Sequence, residues 1–257
     1  MIDALYIAAT GMQAEQNQLE NISNNLSNIN TTAYKAGNVS FDDLLYKPIV
    51  DGVGSAQSAN NNVGMGTAVT SIIKDFSVGD LQATQRSLDI ALQGNGFVEV
   101  DLGNGEYAYT RSGNLAVDTD GYLTTAKGYR LSNNIQLPPD ARSLKIDKDG
   151  TVTVQVDGKT DPIDVGQIEI SMFMNPTGLK AIGENLYLAS EASGTPIYAT
   201  AGENGASEIA QGFLEGSNVD MVAEMMNLVV TQRAYQVNSQ IIRAADQMLE
   251  INNNLRS

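Results

Sequence analysis

The sequence contains no cysteine, no histidine and no tryptophan among its 257 residues. Without cysteine, neither disulfide bonds nor thiolate chemistry is available. Without histidine, the chain lacks the usual general base near neutral pH and the commonest metal ligand. These absences make catalysis less expected, and we predict no enzyme activity, no cofactor and no metal site. Cysteine-free chains suit an extracytoplasmic location, although a cytosolic protein can lack cysteine too.

Positive charge and long apolar runs are also scarce. The chain has 15 Lys and Arg against 30 Asp and Glu, a net charge of −15, which opposes binding to nucleic acid or to an anionic membrane surface. No stretch approaches the roughly 20 apolar residues that cross a bilayer, so membrane insertion is not expected. The first residues, MIDALYIAATGMQAEQ, lack the basic and apolar regions of a secretory signal. Any export is therefore expected to proceed without signal cleavage.

The acidic charge is concentrated in the middle of the chain. Residues 1–35 carry a net −2 and residues 218–257 a net −1, so −12 of the −15 lies between them. Two nearly neutral ends therefore bracket an acidic body. This distribution is expected if the ends are buried and the body faces water.

An amphipathic helix is predicted over residues 2–30, where a seam advances by steps of four and three. Its positions are Leu5, Ala9, Met12, Gln16, Leu19, Ser23 and Leu26, and Ile22 adds to the apolar face. The sequence then becomes rich in asparagine, with five in NISNNLSNINTTAYK (21–35). Asparagine is a poor helix former, so we expect its amides to make hydrogen bonds between packed helices, above all at Asn24, Asn25 and Asn28.

The clearest predicted helix is the last segment of the chain. Its seam also alternates steps of four and three, a pattern that requires a partner helix. The seam residues are Val230, Ala234, Val237, Ile241, Ala244, Met248, Ile251 and Leu255, and the polar residues Gln232 and Asn238 are expected to contact neighbouring helices. Because isolated helices are marginal in water, both ends are expected to stay largely disordered in the monomer and to fold on assembly.

Between the two helices, short alternating segments and turns recur about every ten residues. In FVEVDLGNGEYAYTR (97–111), both arms alternate around a Gly-Asn-Gly turn, which predicts a hairpin. The predicted fold class is α+β: a mainly-β, sandwich-like or barrel-like domain with a helix at each end that forms a coiled-coil-type layer on assembly. The expected divisions are 1–36 for the first helix and its connection, 37–75 for a linker and extension, 76–214 for the β domain and 215–257 for the last helix, which is expected to pair with residues 1–36.

Three possible sites can be weighed in the middle region. DTDG (118–121) and DKDG (147–150) lack the remainder of a calcium loop, so they predict turns. GNGF (94–97) lacks the context of a phosphate-binding loop. The acidic residues Asp89, Glu99, Asp101 and Glu106 leave open a hydrolase acting on cell-wall glycan, with one carboxylate as acid and another as base.

Several segments resemble bacterial flagellar rod and hook axial proteins. ALYIAATGMQAEQNQLENISNNLSNINTTAYKA (4–36) is similar to the N-terminal signature of that family, and LEGSNVDMVAEMMNLVVTQRAYQVNSQIIRAADQML (214–249) to its C-terminal signature. LDIALQGNGFVEV (88–100), YTRSGNL (109–115) and FMNPTGLKAIGENLYL (173–188) also resemble family segments. The resemblance spans nearly the whole chain and is nearest to the branch that forms the distal rod.

The resemblance implies a structural subunit of the flagellar basal body that polymerises helically into a rigid, hollow drive shaft. It implies contacts with further copies, proximal rod proteins, the hook protein and surrounding ring or bushing proteins. It also implies delivery by the flagellar type III export apparatus to an extracytoplasmic position, periplasmic if the host has an outer membrane. Residues 48–66 would contact neighbouring copies and stiffen the shaft. The alternative within the family is a proximal rod or hook-like protein.

Overall fold

The computed structural model describes residues 2–44, 46–48, 62–156 and 161–254. Contacts within the chain divide it into two compact units. Unit 1 comprises Met1–Ser27, Gly37–Lys74 and Asp220–Ser257, and unit 2 comprises Asn28–Ala36 and Asp75–Val219. Most of the segment 48–66 lies outside the described residues. The helices and the strands next to the first helix therefore share one unit, while the connection 28–36 belongs with the β region.

Unit 1 contains two long helices and two small pairs of strands. The helices are α1 (Ile2–Ser27) and α2 (Met221–Asn254). The strands are β1 (Gly37–Asp43), β2 (Tyr46–Pro48), β3 (Asn62–Gly64) and β4 (Thr67–Lys74). β1 pairs with β4 and β2 with β3, both antiparallel. Both helices predicted from the hydrophobic seams are thus formed in the single chain, whereas we expected largely disordered ends.

The start of α2 is fixed by a side-chain cap. Asp220 Oδ1 accepts hydrogen bonds from the backbone N–H groups of Val222 at 2.8 Å and Ala223 at 3.1 Å. These N–H groups have no partner within the first turn of a helix, and a carboxylate there also complements the positive end of the helix dipole. The helix therefore begins directly after Asp220.

Unit 2 is built almost entirely from short strands, with one 3-10 turn at Pro176–Gly178. Its strands in chain order are β5 (Leu81–Ala83), β6 (Ile90–Gln93), β7 (Phe97–Asp101), β8 (Tyr107–Thr110), β9 (Leu115–Val117), β10 (Leu123–Thr125), β11 (Arg130–Leu131), β12 (Ala141–Ile146), β13 (Thr151–Val156), β14 (Ile163–Gln167), β15 (Glu169–Met172), β16 (Lys180–Gly183), β17 (Leu186–Leu188), β18 (Ile197–Thr200), β19 (Glu208–Gln211) and β20 (Phe213–Glu215).

The largest sheet of unit 2 has nine strands and remains open. Its main path runs β16-β17-β8-β7-β11-β10-β9, and β15 joins β7 to β18. The hairpin predicted around the Gly-Asn-Gly turn is confirmed, because β7 and β8 pair antiparallel from Val98↔Thr110 to Asp101↔Tyr107. A three-stranded sheet β12-β13-β14 and the pairs β19-β6 and β20-β5 complete the unit. The predicted fold class, two terminal helices with a mainly-β region between them in the chain, is confirmed.

The two largest groups of buried side chains in unit 2 differ in character. An aliphatic group is centred on residues that are fully buried, including Ile90, Val152 and Ile170. The second group is aromatic, and its rings meet edge to face, as in Tyr109 and Phe173 with centroids 4.8 Å apart. Such edge-to-face contacts add to the free energy gained by burying the rings. The β region therefore has a core of its own.

Candidate assembly surface

The helices α1 and α2 pack against each other in an antiparallel arrangement. A Cβ atom added at Gly11 would lie 3.0 Å from Asn238 Nδ2, and Asn25 Nδ2 donates a hydrogen bond of 3.0 Å to Glu224 Oε1. Moving fourteen residues towards the C-terminus of α1 thus moves fourteen residues towards the N-terminus of α2. The helices α1 and α2 are therefore in contact within one chain.

Small and polar residues form the line along which the two helices are buried. On α1, Ala8 and Ala14 are each 3% exposed, and on α2, Thr231 is 5% and Ala245 2% exposed. Together with Gly11, these side chains let the two backbones approach closely, so that dispersion contacts accumulate along the pair. Ile22, which is 1% exposed, is the large apolar residue of this face.

The predicted seam of α2 lies beside the face of α2 that is buried against α1. Its large members are exposed in the single chain: Val230 66%, Val237 53%, Ile241 43%, Met248 52% and Ile251 59%. We call these five residues the outer stripe. Ala244 is also exposed, and Ala234 is half-buried. Leu255, the last predicted seam residue, lies outside the described residues.

The residues of α2 that pack within the chain lie one position after the predicted seam. They are buried or half-buried, each follows a predicted seam residue directly, and we call them the packed line: Thr231, Asn238, Ile242, Ala245 and Leu249. One residue turns an α-helix by about 100°. The heptad spacing was therefore read correctly, but the stripe of large residues and the stripe that packs within the chain are different faces.

The predicted seam of α1 is displaced in a similar way. Leu5, Met12, Leu19 and Leu26 are half-buried, whereas the fully buried positions of the helix are Ala8, Ala14, Ile22 and Asn25. Part of each leucine and methionine side chain therefore remains accessible on unit 1. Like the outer stripe, this surface is available to another molecule.

Among the predicted asparagines, Asn25 has the clearest role. It is 1% exposed, its Oδ1 accepts from Gly37 N at 2.9 Å, and its Nδ2 donates to Gly37 O at 2.9 Å. Asn21 Nδ2 donates to the same Gly37 carbonyl. With its bond to Glu224, Asn25 thus joins α1 to both β1 and α2 without burying an unpaired charge. The amide is needed because it both donates and accepts.

The other predicted polar residues lie in different environments. Asn238 is half-buried opposite Gly11 in the helix pair. Asn24 and Gln232 have exposed side chains. Asn28 belongs to unit 2, where its Oδ1 accepts a hydrogen bond of 3.1 Å from Thr31 Oγ1. Contacts of Asn24, Asn28 and Gln232 with other copies remain a prediction.

Sequence reasoning missed the small residues on the buried faces of the two helices. Ala8, Gly11, Ala14, Thr231 and Ala245 are small, so they contribute little to a pattern based on large apolar residues. A repeat of small residues at steps of three and four would have been the signal. Such repeats mark faces where helix backbones come close together.

Of the carboxylates considered for a hydrolase, Glu99 and Asp101 accept hydrogen bonds, whereas both side-chain oxygens of the buried Asp89 lack a hydrogen-bond partner among the described residues. Tyr198 Oη donates to Glu99 Oε2 at 2.6 Å, and Asp101 accepts from a turn N–H at 2.7 Å. Asp89 is fully buried, with 3.8 Å between its Oδ2 and the Nε of Arg86. In the ranges that the structure describes, no three acidic side chains come together as metal ligands. Glu99 and Asp101 thus take part in contacts that stabilise the β region.

The two Asp-Gly motifs form turns, as predicted. Asp118 accepts from the backbone N–H of Thr119 and pairs with Arg130 at 2.8 Å. The hydrogen bond from Arg130 lowers the pKa of Asp118. Asp149 accepts a backbone N–H two residues further along the chain, at 3.1 Å, and this bond lowers its pKa. Both aspartates therefore stabilise turn geometry as carboxylates.

Three protein-family models match the chain. The family described as "Flagella basal body rod protein" matches residues 5–35, and "Flagellar hook protein FlgE/F/G D1 domain" matches residues 91–154. "Flagellar basal body rod FlgEFG protein C-terminal" matches residues 210–255. These matches fall on α1, on the β region and on α2. They define the class as flagellar rod and hook proteins.

Full-length relatives narrow the class further. The flagellar basal-body rod protein FlgG of Borreliella burgdorferi is 41% identical over 100% of this chain and 99% of its own length. FlgG of Caulobacter vibrioides is 41% identical over 100% of both chains, and FlgG of Bacillus subtilis 39% over 97% of both. The chain belongs to this family of flagellar basal-body rod proteins. It is a structural component of the basal body, in a family not known for enzyme activity, and neither described helix is apolar enough to span a membrane.

Proposed function

We propose that the protein polymerises head to tail into the distal rod, a straight hollow shaft that transmits motor torque to the hook. Contacts between different surfaces of successive copies produce an open helix if they do not close into a ring. Many such contacts act together, so that the shaft is rigid although each contact is modest. Its neighbours along the axis would be proximal rod proteins at one end and the hook protein at the other.

The outer stripe of α2 is the observation that carries this proposal. Five large apolar side chains follow one another along about 32 Å of helix, estimated from the helical rise, and each is at least 43% exposed. Monomeric proteins rarely leave such a continuous apolar surface in water. Because α1 covers only the neighbouring face of α2, a second copy can bury the stripe. The half-buried leucines of α1 would extend the same contact.

The environment of the shaft forms a second part of the proposal. Delivery would proceed through the flagellar export apparatus, without signal cleavage, to an extracytoplasmic and, in hosts with an outer membrane, periplasmic position. The acidic middle region would face surrounding ring or bushing proteins and keep the rotating surface hydrated. Residues 48–66 would contact neighbouring copies.

A proximal rod or hook-like position is the alternative to the distal rod. The location of tagged protein in purified basal bodies distinguishes the two positions.

A carboxylate placed in the outer stripe tests the assembly surface. We expect Val237→Asp and Ile241→Asp to leave the melting temperature of the unassembled protein unchanged, because both side chains are exposed there. In a strain that lacks the wild-type protein, each variant should give basal bodies with truncated shafts and no motility. Burying an unpaired charge between copies costs more than such a contact gains.

Gln236→Asp provides the matched control. Gln236 is exposed on the same helix but outside the outer stripe, so the variant adds the same charge without entering the proposed contact. It should support full-length shafts and motility. Normal shafts with Ile241→Asp would contradict the proposal. Equal loss of assembly with Gln236→Asp would mean that added charge, and not the stripe, causes the defect.

A further inference from the structure

A buried network of charged side chains joins three distant parts of unit 2. Lys35 Nζ lies 2.7 Å from Glu215 Oε1, and Arg111 Nε lies 2.9 Å from Glu215 Oε2. The side chains of Lys35 and Glu215 are 0% exposed and that of Arg111 is 2% exposed. The three residues come from the connection after α1, the end of β8 and the end of β20. Tertiary structure alone brings them together.

Backbone groups supply the remaining hydrogen bonds of the network. Arg111 Nη1 and Nη2 each donate a bond of 2.9 Å, to the carbonyls of Gly96 and Gly94. Lys35 Nζ donates to the Ser77 carbonyl, and Glu215 Oε1 also accepts from Gly79 N at 3.0 Å. Two cations thus share the single negative charge of Glu215. Burial lowers the pKa of Lys35, while the charge of Glu215 acts in the opposite direction.

The connection 28–36 is attached to unit 2 around this network. It contains no strand or long helix, and its attachment includes Ala33 N to Glu215 O at 2.8 Å, Ala36 N to Asn218 Oδ1 at 2.8 Å, and Asn185 Nδ2 to Thr32 O at 2.8 Å. The apolar contacts of Tyr34 and Ala36 with Val219 add to these bonds. The attachment therefore depends on residues near the end of the β region.

We infer that Glu215 gates the attachment of residues 28–36, so that this connection docks only on a completed β region. Arg111 and Glu215 form a balanced pair when the connection is detached and Lys35 is in water. Docking then brings a second cation into a site that excludes water, which is favourable only when the carboxylate is present. Because Glu215 follows Lys35 by 180 residues, docking must wait for almost the whole β region.

The charge arrangement distinguishes this gate from an ordinary core contact. With Glu215→Gln, two buried cations lose their shared anion, so the connection should detach. With Lys35→Met, the balanced pair remains and a side chain of similar length fills the site, so the connection should stay docked. The double variant should therefore dock better than Glu215→Gln alone. If the network acted only through packing, the double variant should dock worse than Glu215→Gln alone.

Hydrogen–deuterium exchange on the full-length, unassembled protein tests the inference. Glu215→Gln should speed exchange of residues 28–36 by about a hundredfold, as expected when one partner of a buried ion pair is removed. Lys35→Met should change it by less than about fivefold, within the effect of an ordinary substitution. Adding Lys35→Met to Glu215→Gln should restore most of the protection. Lys180→Met, at an exposed lysine, serves as the control.

Peptides from β6 and β7 in the same samples report whether the β region is folded. Unchanged exchange of 28–36 in Glu215→Gln would overturn the inference. Equal loss of protection in 28–36 and in β6 and β7, without rescue by Lys35→Met, would also overturn it, since the network would then be part of the general core. The inference builds on the proposed rod function, but exchange is measured before assembly. Its failure is therefore separate from a failure of the outer-stripe experiment.

Discussion

Two neighbouring alanines on α2 provide a sharp test of which helix face packs within the chain. Ala245 is 2% exposed on the packed line, whereas Ala244 is exposed on the side of the outer stripe. We compare Ala245→Leu with Ala244→Leu. The two variants have the same composition, the same change in volume and nearly the same helix propensity, so any difference must come from the environment of the two positions.

The structure sets the size of the expected difference. At Ala245, three additional carbon atoms must fit into a face that is already closed by α1. Overpacking of this kind costs about 1–3 kcal/mol. That loss corresponds to a decrease of about 5- to 150-fold in the equilibrium constant for folding of unit 1. At Ala244, the added atoms project towards water, so Ala244→Leu should change the free energy of unfolding by less than about 0.5 kcal/mol.

Urea unfolding of the unassembled protein, followed by far-UV circular dichroism, measures both variants. The two helices provide most of that signal and both belong to unit 1, so the loss of helical signal with urea reports on unfolding of unit 1. We expect a lower midpoint for Ala245→Leu and a wild-type midpoint for Ala244→Leu. Equal midpoints, or a lower midpoint for Ala244→Leu, would refute the assignment of the packed line.

Three further predictions follow from named residues. Asn25→Leu should lower the free energy of unfolding of unit 1 by about 1–3 kcal/mol in urea titrations, because the Gly37 N–H loses its acceptor, while the Gly37 carbonyl keeps the hydrogen bond from Asn21. Burial raises the pKa of Tyr187 to about 12, so stability should fall between pH 10 and 12, where the unfolded chain binds fewer protons. Unfolding of Tyr187→Phe across that range should show a smaller decline. Because both helices are formed in the single chain, circular dichroism of dilute monomer should show nearly full helix content, and a large rise on assembly would contradict this.

The sequence predicted the two helices and the β7–β8 hairpin because the signals for these elements are local. A step of four and three specifies an amphipathic helix wherever it occurs, and Gly-Asn-Gly between alternating segments specifies a tight reversal. The family resemblance was equally readable, since its signature segments lie in α1, α2 and the β region. Of the asparagines for which polar contacts were predicted, Asn25 makes them within the chain, although its partners could not be named from the sequence.

The sequence pattern did not indicate which face of each helix packs within the chain. It emphasised large residues such as Val237 and Ile241, whereas the helix pair is buried along Gly11, Thr231 and Ala245. A close helix pair favours small side chains, because backbones that approach each other gain many short contacts. Large residues one position away then remain exposed on the single chain.

The sequence alone was enough to predict the two helices, the β7–β8 hairpin and the family, and to exclude histidine and cysteine chemistry. Only the tertiary structure decided that α1 covers the small-residue face of α2 and leaves the outer stripe exposed. It alone also placed Lys35 and Arg111 beside Glu215, across 180 and 104 residues of chain. The physical reason is that periodicity records preferences between neighbours in sequence, whereas close packing and charge pairing depend on distances that only the folded chain establishes.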